Sequence, residues 1–562
     1  MPAITLNLQI MKHLILVFIS LLFVSFVAAQ PSIDAGGILN VSSAQPTLAP
    51  NVVFVIYGKN LGPATIVVAT APSYPITLAN TAVTFTNISG GAAINAFMYY
   101  TVANAVTGVL PSSVAPGTYA VRVTYNGQTS SPQNVTVVAR HFGIATANGA
   151  GTGVAQATIA NVNQGYSLSR YTTSGAGGVG NFVNSPTHGG DSISLWGTGG
   201  GADAQNDTGG SSGDQTATGN FRVTVGSRVI TPVYTGAVAG YPGLWVLIFT
   251  LPADVDPDCY AQIQVSSNSE FSNAVVLPIA PAGQSACVDP QLTPGILSKL
   301  DSGGSITGGA FGVFKLVDAT SGTGSEGASG GIYRWTAAQW AAGAPSRPRV
   351  GTCSAYDRIV PVNGLDPGAP SVTLDAGGGL GLTGPNLAPV VALTRNNGIT
   401  GPIYFFIASA GAIVGGTYTL TGASGTQVGA FSTSTSVPTS FTVTNFSSIT
   451  TVNRSQPLVI NWTGAGADQV YIIVSTATQV GTSNRLVTIN CIAPAAPGTF
   501  SVPVSALSQL QPAAVSGTSF GVITVQANGT PGSFTASLTG GGQLDFGTFG
   551  SNLGVSKNVA VQ

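Results

Sequence analysis

Three Gly-x-Ser-x-Gly triplets, at Gly209/Ser211/Gly213, Gly327/Ser329/Gly331 and Gly517/Ser519/Gly521, are the first groups in this sequence that could do chemistry. A serine nucleophile of that kind needs a strand, a strained turn and then a helix, with a histidine as base. No helical pattern follows any of the three, and a chain this rich in Gly and Ser produces such triplets by chance. His141 and His188 are the only histidines beyond the N-terminal segment, and His188, close to Asp191, reads as part of a turn before a strand. Paired acids for glycoside hydrolysis are equally scarce. Glu270 and Glu326 are the only glutamates, and Asp357, Asp366 and Asp375 lie in loop-like segments without an aromatic platform. The expectation is a protein that is not an enzyme.

One acid cluster stands out, Asp254-Val255-Asp256-Pro257-Asp258. Alternate carboxylates can supply oxygen ligands to Ca²⁺, but in an EF-hand register Cys259 and Val265 would fall where glycine and glutamate are required. Two readings stay open for Asp254, Asp256 and Asp258: a weak Ca²⁺ site at the end of a sandwich, and a solvated loop before a strand. No other metal site and no cofactor is expected. Among the tryptophans, Trp196, Trp245 and Trp462 sit in alternating patterns and are expected in cores. Trp335 and Trp340, with Tyr333 and Arg334, lie in a loop or short helix. Tyr333, Trp335 and Trp340 are therefore expected to form a surface patch able to hold a ligand such as a sugar ring.

The elements that must position these groups are strands. Of the 562 residues, 44% are hydrophobic and only 6% are charged, against about 25% charged in ordinary soluble proteins. Disordered chains are charge-rich and poor in aliphatic residues, so disorder does not account for this. The 75 glycines, with Ser, Thr and Asn, take the place of charge, which suits hydroxyl-faced strands joined by tight turns. A net charge of −1 with scattered Lys and Arg excludes a nucleic-acid partner and a polybasic membrane patch.

At the N-terminus, Met11-Lys12-His13 heads an apolar run from Leu14 to Val27, with Val27 and Ala29 at the small-residue positions before Gln30. That is the pattern of a cleaved secretory signal over residues 1–29, with either Met1 or Met11 as the start. The run falls short of the ~20 residues of a membrane span, although a retained anchor is the alternative. No membrane span is expected after cleavage, and the protein is expected to be secreted or at the cell surface. Four cysteines fit an oxidising destination. Cys259 and Cys287 flank one strand–turn–strand segment and are expected to pair, which leaves Cys353 with Cys491.

Period-two alternation recurs along the chain. Val121-Arg122-Val123-Thr124-Tyr125 runs into Asn126-Gly127, and Phe221-Arg222-Val223-Thr224-Val225 into Gly226-Ser227, both hairpin signals. Only Pro294 to Leu300 and Thr336 to Ala342 lean helical. Phe54-Val55-Ile56-Tyr57-Gly58 is echoed by Ile193-Ser194-Leu195-Trp196-Gly197, and Val109-Leu110-Pro111 by Thr250-Leu251-Pro252. The repeat predicts two sandwiches, at 30–142 and at 143–290, the second with a Gly-rich entry loop. Two further β units are expected at 291–440 and 441–562. A Cys353–Cys491 bridge would cross the boundary at 440, and the boundary is the weaker of the two expectations.

Ile33-Asp34-Ala35-Gly36-Gly37-Ile38-Leu39-Asn40, Ile56-Tyr57-Gly58-Lys59-Asn60-Leu61 and Ala115-Pro116-Gly117-Thr118-Tyr119 resemble an IPT/TIG-type Ig-like domain. The closer resemblance is to the Ig-like repeat of large secreted acidobacterial proteins of unknown function. Gly190-Asp191-Ser192-Ile193-Ser194-Leu195-Trp196-Gly197-Thr198-Gly199 and Gly243-Leu244-Trp245 carry it into the second unit, which departs from the pattern at Val246-Leu247-Ile248-Phe249. The resemblance implies an all-β fold of tandem Ig-like β-sandwiches with further β domains in the C-terminal half, and it implies no chemistry. Lys59, Lys299, Lys315 and Lys557 are the only lysines beyond the N-terminal segment, so the usual guards of sheet edges are scarce. The expected function is a structural, adhesive or protein-interaction role outside the cell, with self-association or a protein partner. The alternative is non-catalytic binding of a glycan.

Overall fold

The computed structural model of the protein describes residues 30–161, 165–174, 182–268, 270–343, 348–361, 368–398, 400–480 and 483–562. The secretory signal expected at 1–29 lies outside the described residues. The molecule is built from β-sheets, with short helices at Pro294–Asp301 and Ala337–Gly343, where the sequence leans helical. Among the described residues no helix is long and apolar enough to cross a membrane.

The first sandwich sets the sheet Ser32–Asn40, Val53–Lys59, Ala105–Val109, Phe97–Val102 and Val67–Val68 against one centred on Gly117–Tyr125. Alternation aims Phe54 and Ile56 inward from one sheet and Phe85, Val121 and Val123 from the other. Phe54 and Phe85 meet edge to face, 5.3 Å between centroids. Asn126 and Gly127 both take positive φ, 48° and 78°, and bring Gln128 opposite Tyr125. That is the hairpin the Asn-Gly pair predicts.

In the second sandwich, Ser192–Thr198 and Trp245–Thr250 lie side by side and face the sheet of Phe221–Val225 and Asp258–Ser267. Ala157–Asn161 and Gly165–Ser169 extend the first of these sheets towards its edge. Trp245 is fully buried, and its indole Nε1 donates to Asn51 of the first sandwich at 2.9 Å. Asp207 strengthens that junction by accepting from the Ser112 backbone at 2.9 Å and its hydroxyl at 2.8 Å. Trp196 lies half-buried on the outer face, with its Nε1 3.3 Å from the Thr158 hydroxyl.

The two C-terminal units expected at 291–440 and 441–562 share a single 12-stranded sheet. A four-stranded sheet, Leu387–Ala392 to Phe431–Val437, covers one end of it over Phe311, Tyr404 and Phe549. A three-stranded sheet with Leu458–Ala465 covers the other end over Ile472, Ile489 and Ile523, and buries Trp462. Two cores therefore exist, but neither keeps to one side of residue 440, since Phe549 enters the first and Ala355 the second. Thr352–Pro361 pairs with Ser483–Pro494, and Ser305–Asp318 pairs in parallel with Phe546–Val561. The disulfides join Cys259 to Cys287 and Cys353 to Cys491. The second ties neighbouring strands of the shared sheet, because Cys353 stands opposite Cys491 in the register.

Candidate functional site

The residues with chemical potential are mostly held in structural contacts. Ser211 donates its hydroxyl to the Ala237 carbonyl at 2.7 Å. Ser519 donates to the Pro512 carbonyl at 3.3 Å, and Ser329 lies within the strand Gly324–Thr336. His188 has Asp191 at 3.6 Å and the Gln284 carbonyl at 2.9 Å. Glu326 pairs with Lys315 at 2.9 Å and accepts two backbone N–H groups, which together hold its carboxyl below the usual range despite burial. Asp375 is bound by Arg395, Thr426 and Tyr404. Asp366 lies outside the described residues.

A chain of polar side chains joins three parts of the molecule. Glu270 approaches His141 at 3.5 Å, His141 Nε2 lies 3.1 Å from Gln45, and Gln45 donates to Asp357 at 3.1 Å. Arg485 grips Asp357 with two nitrogens, at 2.6 and 3.1 Å. Such two-point charged contacts are geometrically specific. They fix how the units meet.

Of the two readings left open for Asp254, Asp256 and Asp258, the structure shows carboxylates engaged by ion pairs and backbone. Asp254 is bound by Arg228 at 2.6 Å, and Asp256 by Arg349. Asp258 accepts from the Tyr260 N–H at 2.8 Å, and burial pushes its carboxyl up to about 6. Among the described residues no three acidic, histidine or cysteine side chains converge on a common point to hold a metal.

The aromatic patch also differs from its expectation. Tyr333 and Trp335 lie on the strand Gly324–Thr336, and Trp340 on the helix Ala337–Gly343. Trp340 is only 2% exposed, while Tyr333 and Trp335 are half-buried. Tyr333 and Trp335, two apart in a strand, share a face, with ring centroids 5.4 Å apart. Trp335 stacks on Phe546 at 5.9 Å and meets Trp340 edge to face at 5.6 Å. Phe546 comes this close because Gly308 has no side chain; a Cβ there would lie 2.2 Å from its ring. The rings form part of a wall, not an exposed platform.

That wall belongs to a cleft of about 590 Å³, within the range of about 300–1,000 Å³ typical of small-ligand sites. Trp335, Trp340 and Phe546 line one part of it, and Tyr260, Tyr471 and Ile492 another. Its polar groups are Asp258, Asp289, Gln291, Arg349, Gln469 and Thr548. Tyr260 donates its hydroxyl to Asp289 at 2.5 Å, and the other Asp289 oxygen accepts the N–H groups of Gln291 and Leu292, both at 2.7 Å. Each disulfide backs a wall. Cys259 lies between Asp258 and Tyr260, Cys287 precedes Val288 and Asp289, and Cys491 precedes Ile492. Trp335 and Trp340, expected in a surface patch, line this cleft instead. Tyr260, Asp289, Tyr471 and Phe546 were not legible in the sequence as lining residues, because each sits in a segment that reads as an ordinary strand or turn.

No family model matches the chain, and no curated protein matches it in sequence. Among solved structures there is weak likeness to the S-layer protein rSbsC(31-844), at 10% identity and a TM-score of 0.17 over 93% of this chain and 54% of that one. The chain thus spans about half the length of that protein. A biofilm associated protein's BSP domain is 9% identical, with a TM-score of 0.10 over 94% of this chain and 98% of that one. Bacteroides ovatus SGBP-B, in complex with mixed-linkage heptasaccharide, is 13% identical, with a TM-score of 0.12 over 77% of this chain and 84% of that one. At such scores the likeness carries no argument about function, and no family is assigned.

Proposed function

We propose that the chain is an exported, non-enzymatic protein of IPT/TIG-like sandwiches that serves a structural or adhesive role outside the cell by pairing with other chains. The observation that carries this reading is the edge strand Thr394–Gly398. It ends the 12-stranded sheet and is exposed at all five residues. Its one charge, Arg395, is turned to Asp375 at 3.2 Å, so no lysine guards the edge. An open strand edge offers unpaired backbone groups to a strand from another chain. Support for export comes from the two disulfides, which persist in oxidising compartments, and from the signal pattern before Gln30. Support for a non-catalytic role comes from Ser211, His188, Glu326 and Asp375, whose partners are structural.

Light scattering of residues 30–562 across a wide concentration range tests the pairing. The expected result is concentration-dependent association that Asn397→Lys, which places a charge on the edge, weakens at least tenfold. A protein that stays monomeric at every concentration overturns self-association. A second reading, glycan binding, is favoured by the lined cleft.

A further inference from the structure

We infer that the cleft between Asp258–Tyr260, Val288–Gln291, Trp335, Tyr471 and Phe546 is a binding site for a short, uncharged oligosaccharide. This rests on the reading of the chain as a non-enzymatic binding protein and adds the chemical class of its ligand. A pyranose ring has a face of C–H groups and a rim of hydroxyls. It needs an apolar aromatic surface and, around it, groups that donate and accept hydrogen bonds in a plane. Both halves of that requirement meet in the cleft. Tyr260, Trp335, Tyr471 and Phe546 supply rings, and Asp258, Asp289, Gln291 and Gln469 supply acceptors and amide donors.

The charges select among sugars. Two carboxylates, Asp258 and Asp289, line the cleft against a single guanidinium, Arg349, which is already paired with Asp256. The cleft therefore carries net negative charge and repels uronic acid and sialic acid chains. Neutral hydroxyls instead find acceptors held in fixed positions. Asp289 is clamped by Tyr260 and two backbone N–H groups, and the Cys259–Cys287 bridge fixes the loop that carries it to the strand of Asp258. Acceptors fixed in advance lose little freedom on binding, which is how a small polar ligand is held in water.

Asp289 has both oxygens engaged, and Asp258 accepts a backbone N–H from Tyr260; the inference is of binding, and no hydrolytic step is proposed.

The test is titration of the full-length mature protein, followed by tryptophan fluorescence, because Trp335 and Trp340 line the cleft. The probes are oligosaccharides of β-glucan, mannan and chitin, with oligogalacturonate as the acidic control. The expected result is saturable binding of at least one neutral probe and none of oligogalacturonate. Tyr471→Ala and Gln291→Ala should each lower the affinity at least tenfold, whereas Tyr241→Ala, on an exposed ring remote from the cleft, should leave it unchanged. Gln291 is exposed, so its variant folds even if Tyr471→Ala does not. Failure of every neutral probe to bind overturns the proposal, as does binding that survives Gln291→Ala and Tyr471→Ala. Equal binding of oligogalacturonate overturns the charge selection. If no glycan binds but the protein still associates through its edge, the cleft assignment alone falls. If glycans bind and the protein stays monomeric, the self-association reading alone falls.

Discussion

In the N-terminal half each sandwich core is assembled from one stretch of chain, Ile33 to Val137 and then Phe142 to Ile279, while a smaller core of Tyr171, Tyr260, Leu297 and Trp340 joins the second sandwich to the C-terminal half. In the C-terminal half neither core closes until the last strand, Phe546–Val561, returns beside Ser305–Asp318. That strand carries Phe549 into one core and Val559 and Val561 into the other. The difference teaches how the same strand chemistry can give separable or inseparable units. Sequence-local pairing closes small loops at low entropic cost, whereas a strand that returns from over 200 residues away must wait for the intervening chain to order. The first two sandwiches are then expected to unfold as units, and the C-terminal half as one.

The largest expected effect comes from the disulfides, which close loops of very different length. Removing the Cys353–Cys491 bridge, which spans 138 residues, by double alanine substitution is expected to cost up to ~5 kcal/mol in the chain-entropy treatment. Removing Cys259–Cys287, which spans 28, is expected to cost up to ~4 kcal/mol. Guanidinium unfolding of the two variants measures both. A larger loss from the shorter loop would break the contrast between the halves.

Next in size are two buried phenylalanines. Phe549→Ala and Phe85→Ala each empty a fully buried site, at about 3–5 kcal/mol. Hydrogen exchange should separate them. Phe549→Ala is expected to speed exchange in both Gly416–Gly422 and Ser519–Asn528, which lie on either side of residue 440. Phe85→Ala is expected to speed it only within 30–142. Effects of Phe549→Ala confined to one side would show that the shared sheet does not couple the cores.

The smallest effect concerns the join between the halves. Asp301, at the end of the helix Pro294–Asp301, accepts from the Tyr171 and Thr172 N–H groups at 3.2 and 2.8 Å. Burial pushes its carboxyl from 3.8 to about 6. A carboxyl raised on folding binds its proton more tightly in the folded state. Its stabilising contribution is therefore complete below 3.8 and is lost as pH rises through about 6. Thermal melts across that window should show the wild type losing more stability than Asp301→Asn. Asp258 keeps a residual slope in the variant, because burial raises it into the same range. Identical slopes would place Asp301 outside the junction's energetics.

Much of the fold was legible because it depends on local pattern. Alternation placed Phe54, Ile193 and Val223 inward, the Asn126-Gly127 pair demanded a tight hairpin, and Pro294 opened a helix where one stands. The boundary at 440 was less legible. Pairing between Ser305–Asp318 and Phe546–Val561 leaves no mark on either segment, since each reads simply as a strand. The aromatic patch failed for a related reason. Tyr333, Trp335 and Trp340 were read as loop or helix residues without knowledge of Phe546, whose ring covers Trp335 and helps to bury Trp340.

By itself the sequence determined the β architecture and its hairpin turns. These follow from side-chain period, turn chemistry and the scarcity of charge, all of which act over a few residues. Only the tertiary structure decided that the C-terminal strands merge into one sheet, that the Asp254–Asp258 acids are taken up by arginines and backbone, and that Trp335 walls a cleft. Each of those outcomes depends on groups meeting in space that no local pattern brings together, from 26 residues apart for Asp254 and Arg228 to over 200 for Trp335 and Phe546. No local preference encodes such a meeting; it emerges when the distant strands pair and exclude water between them.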